Sequence, residues 1–308
     1  MSTVAAFDCG TNTIKLLVAD LDPATGEEVE HVRDMRMVRL GQGVDRTGRL
    51  DPEAIARTLA VIDEFRETMA GFDIARMRFC ATSASRDASN AEEFVAGVRE
   101  RLGLEPEVLT GAAEAQLSYD GATRSLPGVP GPILVVDIGG GSTELILGDS
   151  HGHVTAGHSL DIGSVRLHER LLAGDPPSAE EVAAASRVVD EALDGLPAHG
   201  VDLTAARTVV GVAGTITTVA AAVLDLPSYQ RDRIHHTVLS GEDVHATAQR
   251  LLGMTVAERR ELPFLHPGRA DVIGAGVLVL DRILQRVGPH ELLVSEADIL
   301  DGIAWSVA

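Results

Sequence analysis

Lysine is all but missing from this chain, with Lys15 the only one among 308 residues. Cysteine is nearly as scarce: Cys9 and Cys80 lie inside apolar runs without C-x-x-C spacing, which argues against a disulfide framework or a zinc site and for reduced thiols in a cytoplasmic protein. Aromatic residues, at 3%, are too few to build base-stacking platforms. No apolar run approaches the ~18 residues of a membrane span, and the amino terminus carries no basic region ahead of its first apolar stretch, so neither a span nor a signal peptide is expected. Positive charge is also short. With 26 Lys and Arg against 46 Asp and Glu, the formal net charge of -20 repels nucleic acid and anionic membrane surfaces, so neither is an expected partner. An anionic substrate is still compatible, provided that backbone amides, a metal ion and a few arginines make one local positive site. The arginines suit phosphate oxygens by their planar, bidentate geometry, although a biased base composition in the source genome explains their excess more simply.

What the chain does have is enough apolar content, 45%, to bury a full core, at a length that suits two domains better than one. Short apolar strands alternate with Ala-rich helical stretches, as in Ile133–Val136 and then Ala179–Leu193, the pattern of an α/β protein. A strand ending in Asp-x-Gly and followed by small hydroxyl or amide residues occurs twice. The first runs from Val4–Phe7 into Asp8-Cys9-Gly10-Thr11-Asn12-Thr13 and on to Ile14–Ala19. The second runs from Ile133–Val136 into Asp137-Ile138-Gly139-Gly140-Gly141-Ser142-Thr143 and on to Glu144–Leu147. Each reads as a β-hairpin whose turn needs residues tolerant of positive φ, and two of them opening two halves predict a duplicated fold. Further strands are expected at His31–Leu40, Met77–Ala81 and His153–Leu160, with a helix over Asp51–Ala70 from its Asp-Pro-Glu start and its spacing of Ile55, Leu59, Ile62 and Phe65. Ser125–Pro132 breaks regular structure and is the expected linker, giving domains 1–126 and 127–297.

A glycine-rich turn after a buried strand aims backbone N–H groups at one point and can cradle a phosphate. One Asp-x-Gly hairpin alone is more often only a turn; two at half-chain spacing can grip successive phosphates. A third stretch, Val209–Thr217, containing Gly211, Gly214 and Thr215, also follows a strand and precedes an Ala-rich helix whose N-terminus adds partial positive charge, though close helix–strand packing explains it equally well. Asp8, Asp137 and Glu144 at the hairpins are candidate Mg2+ ligands, and Glu114 is a candidate acceptor of a proton from water. On pattern alone Glu114 reads more simply as a helix-start acid. His235-His236 lacks metal-ligand spacing and is expected to lead into a strand at Thr237–Leu239. Arg46 and Arg166 read mainly as ordinary polar-loop and helix charges.

Taken in order, the two Asp-x-Gly loops, Ala81–Asn90, Gly111-x-x-Glu114-Ala115, Asp137–Glu144 and Gly211-Val212-Ala213-Gly214-Thr215 resemble the exopolyphosphatase and guanosine pentaphosphate phosphohydrolase family, from Asp8 to about Leu300. The resemblance implies an α/β protein of the actin-like ATPase (ribonuclease H-like) superfold, two similar domains with a cleft between them, the C-terminal helix 298–308 rejoining the first. It implies Glu114 as general base, Asp137 and Glu144 as catalytic acids with Mg2+, phosphate contacts from Asn12, Thr13, Gly140, Gly141, Ser142 and Gly214, and Arg86 along the substrate site. Asp8, Gly10, Gly139, Thr143 and Thr215 join that set as members of the same turns. The expected reaction is removal of the terminal phosphate of inorganic polyphosphate by water. Longer relatives continue into a further helical region, so short polymers are the expected preference. Guanosine pentaphosphate or tetraphosphate, a kinase or ATPase of the same superfold, and a non-catalytic sensor are the alternatives. A homodimer is the one protein partner considered.

Overall fold

The computed structural model describes residues 1–126, 128–288 and 291–308. It comprises two compact units, Met1–Gly121 with Ile299–Ala308, and Ala122–Asp298. The division falls inside the Gly111–Arg124 helix, a few residues ahead of the segment expected to be the linker. Pro127, the first residue of the expected second domain, lies outside the described residues.

In the first unit, β1 (Ser2–Cys9), β2 (Thr13–Asp22) and β3 (Glu27–Met37) form an antiparallel meander, and β4 (Arg76–Ala81) and β5 (Glu107–Val108) continue the sheet in parallel beyond β1, in the order β3-β2-β1-β4-β5. The strand expected at His31–Leu40 is displaced to Glu27–Met37. Its end is set by Val38 and Arg39, whose amides both turn onto the Asn12 carbonyl, with Arg39 at a φ of 50° that an extended strand cannot hold. The expected helix over Asp51–Ala70 is seen as Pro52–Met69, with the Asp51 carboxylate capping the amides of Glu53 and Ala54. Alternation along the strands divides their side chains between two cores. Phe7, Ile14, Leu16 and Phe79 meet Ile62, Phe65 and Phe94 on one face. Val4, Ala6, Leu17 and Leu21 meet Leu117, Leu300 and Ile303 on the other. The Ile299–Trp305 helix belongs to this unit. It passes so close to the Gly111–Arg124 helix that a Cβ on Gly302 would stand 2.0 Å from the Leu117 carbonyl oxygen, and Arg33 pairs with Asp301 beside it.

The second unit repeats the plan. Strands β6 (Ile133–Ile138), β7 (Thr143–Gly148) and β8 (Val154–Leu160) form the meander, β9 (Thr208–Val212) runs parallel to β6, and β11 (Leu292–Val294) runs parallel to β9 with β10 (Val238–Leu239) at its edge. The order β8-β7-β6-β9-β11 therefore matches β3-β2-β1-β4-β5 strand for strand. Every residue of β6 and β7 is buried, as expected of central strands covered on both faces. A meander followed by parallel strands, built twice in one chain, is the actin-like superfold. The strand expected at Thr237–Leu239 is present as β10, one residue shorter, with His236 at a φ of 64° between it and the short Arg231–Ile234 helix. No described helix is long and apolar enough to cross a membrane.

Candidate active site

The Gly139–Ser142 turn between β6 and β7 has its carbonyls committed. The Gly139 oxygen accepts from the Ser164 amide at 2.9 Å and the Gly140 oxygen from the Val165 amide at 2.8 Å, both at the start of the Ser164–Leu171 helix. The Gly141 oxygen accepts from Arg166 Nε at 2.8 Å. In a trans peptide the following N–H points opposite to the carbonyl. The amides of Gly140, Gly141 and Ser142 therefore all leave the turn on the side away from that helix, which is the arrangement an anion-binding nest requires. Approach this close is possible only because residue 163 has no side chain: a Cβ there would lie 2.4 Å from Gly140 backbone atoms. Arg166, read from sequence as an ordinary helix charge, is instead a brace on this turn. Thr143, expected at the substrate, is fully buried, and its hydroxyl donates to the Ile162 carbonyl at 3.1 Å, which holds the hairpin.

Asp137 and Glu144 are register partners on β6 and β7, and Ser159 on β8 is the next residue in the same row. Both acids are buried, Glu144 to 1% exposure, and Ser159 Oγ donates to Glu144 Oε1 at 2.7 Å. Like charges opposite one another across a ladder are unfavourable unless a cation or proton is shared. Hard carboxylate oxygens beside an amide nest fit Mg2+, which takes one or two carboxylates together with phosphate oxygens and water rather than a full protein cage. No three His, Cys, Asp or Glu side chains converge as a ready-made metal site among the described residues. Sequence reasoning missed Ser159; its place opposite Glu144 follows only from the strand register.

The first unit carries the matching turn with different chemistry. The Thr11 carbonyl accepts from Gly41 at 2.8 Å and the Asn12 carbonyl from Val38 and Arg39, so the Asn12 and Thr13 amides face away from that segment. Gly41 plays the part that Gly163 plays in the second unit: a Cβ there would lie 2.5 Å from Thr11 Cγ2. Gly10 closes the turn, its amide donating to the Thr13 carbonyl at 2.9 Å. Asp8, a candidate metal ligand, is paired with Lys15 at 3.1 Å. The partner is local in the sheet, since Asp8 and Lys15 are opposite residues on β1 and β2. Next to Asp8 on β4 lies Cys80, whose thiol burial pushes up to about 12, with smaller contributions from the charges of Asp8 and Glu114. Burial likewise pushes the Cys9 thiol well up. Neither cysteine is a nucleophile at neutral pH.

Glu114 sits in the first turn of the Gly111–Arg124 helix at 6% exposure. Thr110 caps that turn, its hydroxyl accepting from the Ala113 amide at 3.2 Å. Arg86, at the end of the short Ser83–Arg86 helix after β4, reaches Glu114 Oε2 with Nη1 at 2.8 Å. Arg46 is exposed on the short Val44–Thr47 helix.

In the third glycine stretch, Ala213 has a φ of 68° at the junction of β9 and the Ala213–Val223 helix. A left-handed alanine costs about 1–2 kcal/mol, and strain of this kind collects at sites that need a fixed backbone. Gly214 lies directly under Arg269, whose Nη1 would be 1.3 Å from a Cβ at that position. Arg269 is a residue that sequence reasoning missed. Burial lowers its pKa, while Tyr229, Glu296 and Asp298 raise it. Thr215, in contrast, turns into the packing: a Cβ on Gly276 would meet its Oγ1 at 2.5 Å.

The profile of the Ppx/GppA phosphatase family matches residues 27–307. The chain belongs to that family. Among its Ppx/GppA relatives, Exopolyphosphatase 2 of Mycobacterium tuberculosis is 47% identical, over 100% of this chain and 99% of that protein. The Ppx/GppA enzyme of Aquifex aeolicus superposes with a TM-score of 0.83 at 31% identity, covering 99% of each chain. An exopolyphosphatase from Cytophaga hutchinsonii superposes with a TM-score of 0.91 at 25% identity, over 99% of this chain and 97% of that one.

Proposed function

We propose that this protein is an exopolyphosphatase that removes the terminal phosphoryl group of inorganic polyphosphate by attack of water, with Mg2+ as cofactor. The observation that carries this reading is the Gly139–Ser142 turn, which commits its carbonyls to the Ser164–Leu171 helix and so turns three successive amides outward. Phosphoryl transfer has a loose transition state whose charge spreads over equatorial oxygens, so positioned donors contribute more than covalent chemistry. Full-length similarity to a protein named as an exopolyphosphatase supports the substrate class.

Each unit carries candidate groups of its own. The second offers the amides of Gly140, Gly141 and Ser142, with Asp137 and Glu144 as the residues that would hold Mg2+. When bound, the ion would neutralise phosphate charge and polarise the P–O bond. The first offers the turn at Gly10, Asn12 and Thr13, and Glu114 as the base that orients water and takes its proton. Asp8, paired with Lys15, contributes a nearly balanced charge beside that turn. The test is release of inorganic phosphate from short polyphosphate, long polyphosphate, guanosine pentaphosphate and ATP, with and without Mg2+. Fastest release from short polyphosphate that stops on chelation of Mg2+ is the expected result; tight polyphosphate binding with no release would make the protein a sensor instead.

One observation favours a second substrate, guanosine pentaphosphate. Beside Arg269 and Gly214 stands Tyr229, an aromatic ring 45% exposed whose hydroxyl donates to Glu296. A guanidinium at a helix start together with an open aromatic face could hold a phosphate and a nucleobase together. A Tyr229→Ala variant that loses activity on guanosine pentaphosphate and keeps it on polyphosphate would support that reading.

A further inference from the structure

Arg86 does more in this structure than wait for an anion. Its Nη1 donates both to Glu114 Oε2 at 2.8 Å and to the Leu109 carbonyl at 2.9 Å, and its Nε lies 4.0 Å from Asp87. The Leu109 carbonyl belongs to the segment that leads into the Glu114 helix. One guanidinium nitrogen thus ties the carboxylate to the backbone just ahead of its own helix. Thr110 fixes the same turn from within, through the Ala113 amide and through its carbonyl, which accepts from the Glu114 amide at 2.9 Å. A carboxylate pinned at Oε2 presents Oε1 in a fixed direction, and a base must be held in this way if it is to accept a proton in line with the attack of water on phosphorus.

From this geometry we infer that Arg86 is a positioning residue that acts through Glu114, not a binding residue for the phosphate chain. The inference rests on the reading of Glu114 as general base. Its charge surroundings are consistent with a paired base. Arg86 contacts Glu114 directly, Asp87 flanks Arg86, and the charges of Asp8 and Glu114 both bear on the buried Cys80 thiol, which stays neutral. The guanidinium 2.8 Å from Oε2 favours the charged carboxylate over the protonated one. Lysine could not replace the arrangement fully. It keeps the charge but carries it on a flexible stem, whereas the planar guanidinium holds Nη1 in a fixed direction between the carboxylate and the Leu109 carbonyl.

The experiment compares wild type, Arg86→Gln, Arg86→Lys, Glu114→Gln and the Arg86→Gln/Glu114→Gln double variant on short polyphosphate with Mg2+, with kcat, KM and the pH profile measured separately. The expected result is a fall in kcat of about 10- to 100-fold for Arg86→Gln, part of the 10²–10⁴ that a positioned base contributes, with KM within about threefold. The acid limb of kcat/KM moves up by roughly one pH unit in Arg86→Gln, because the carboxylate loses its cation. In Arg86→Lys the limb stays near its wild-type place while kcat recovers only in part. In the Glu114→Gln background the Arg86→Gln change costs nothing further. A rise in KM at unchanged kcat, or a full multiplicative loss in the double variant, overturns the inference and leaves the base assignment standing. Wild-type turnover by Glu114→Gln overturns both.

Discussion

The two units share a backbone plan and differ at one register position. In each, a strand ends in Asp-x-Gly, a glycine turn follows, and a distant glycine, Gly41 in the first and Gly163 in the second, lets another segment pass against that turn. The residue opposite the aspartate is Lys15 in the first unit and Glu144 in the second. One aspartate is therefore neutralised by the protein itself, whereas the other shares its ladder with a second carboxylate.

The largest expected effect comes from outside the shared plan. Glu114→Ala should lower kcat by about 10²–10⁴ with substrate affinity retained, measured by phosphate release alongside equilibrium binding of short polyphosphate. Next comes the cross-strand pair of the second unit. Glu144→Gln should raise the Mg2+ concentration for half-maximal activity by about tenfold or more, and Ser159→Ala should raise it less; a titration of rate against Mg2+ reads both. An unchanged Mg2+ dependence in Glu144→Gln would remove the contrast between the two units.

Smaller changes are expected in stability. Gly163→Ala forces a Cβ against Gly140 backbone atoms at 2.4 Å, which neither backbone can avoid without moving; a loss of about 1–3 kcal/mol in chemical denaturation, with reduced activity, is expected. Lys15→Met leaves Asp8 buried without its cation and should cost about 2–4 kcal/mol at neutral pH. That loss should shrink as Asp8 is protonated in acid, a comparison that denaturation at two pH values would make. The smallest effect is no reaction at all: both cysteines lie in the first unit with thiols pushed up by burial, so alkylation at pH 8 should be negligible until that unit opens. Rapid labelling of the native protein would contradict this.

Much of this was legible in the residues. The Asp-x-Gly repeats at Asp8 and Asp137 announced both hairpins, although the positive φ expected of their turns is not found at Gly10 or Gly139. The Asp51 cap and the Pro52 start announced their helix for a local reason. For Thr143 and Thr215 the sequence shows a hydroxyl beside a turn but not its surroundings; Ile162 and Gly276, 19 and 61 positions away, supply them. Arg166 was underrated for the same reason, since its Nε meets a carbonyl 25 residues earlier.

By itself, then, the sequence determined the elements whose physics is local: apolar alternation that makes strands, caps that start helices, and glycines that permit turns and close approach. Only the tertiary structure decided which charges meet. Register set Lys15 against Asp8 and Glu144 against Asp137, and chain crossing brought Arg86 to Glu114 and Arg269 to Gly214. Pairings of that kind depend on distances of a few ångströms between residues far apart in the chain, and no local preference encodes them.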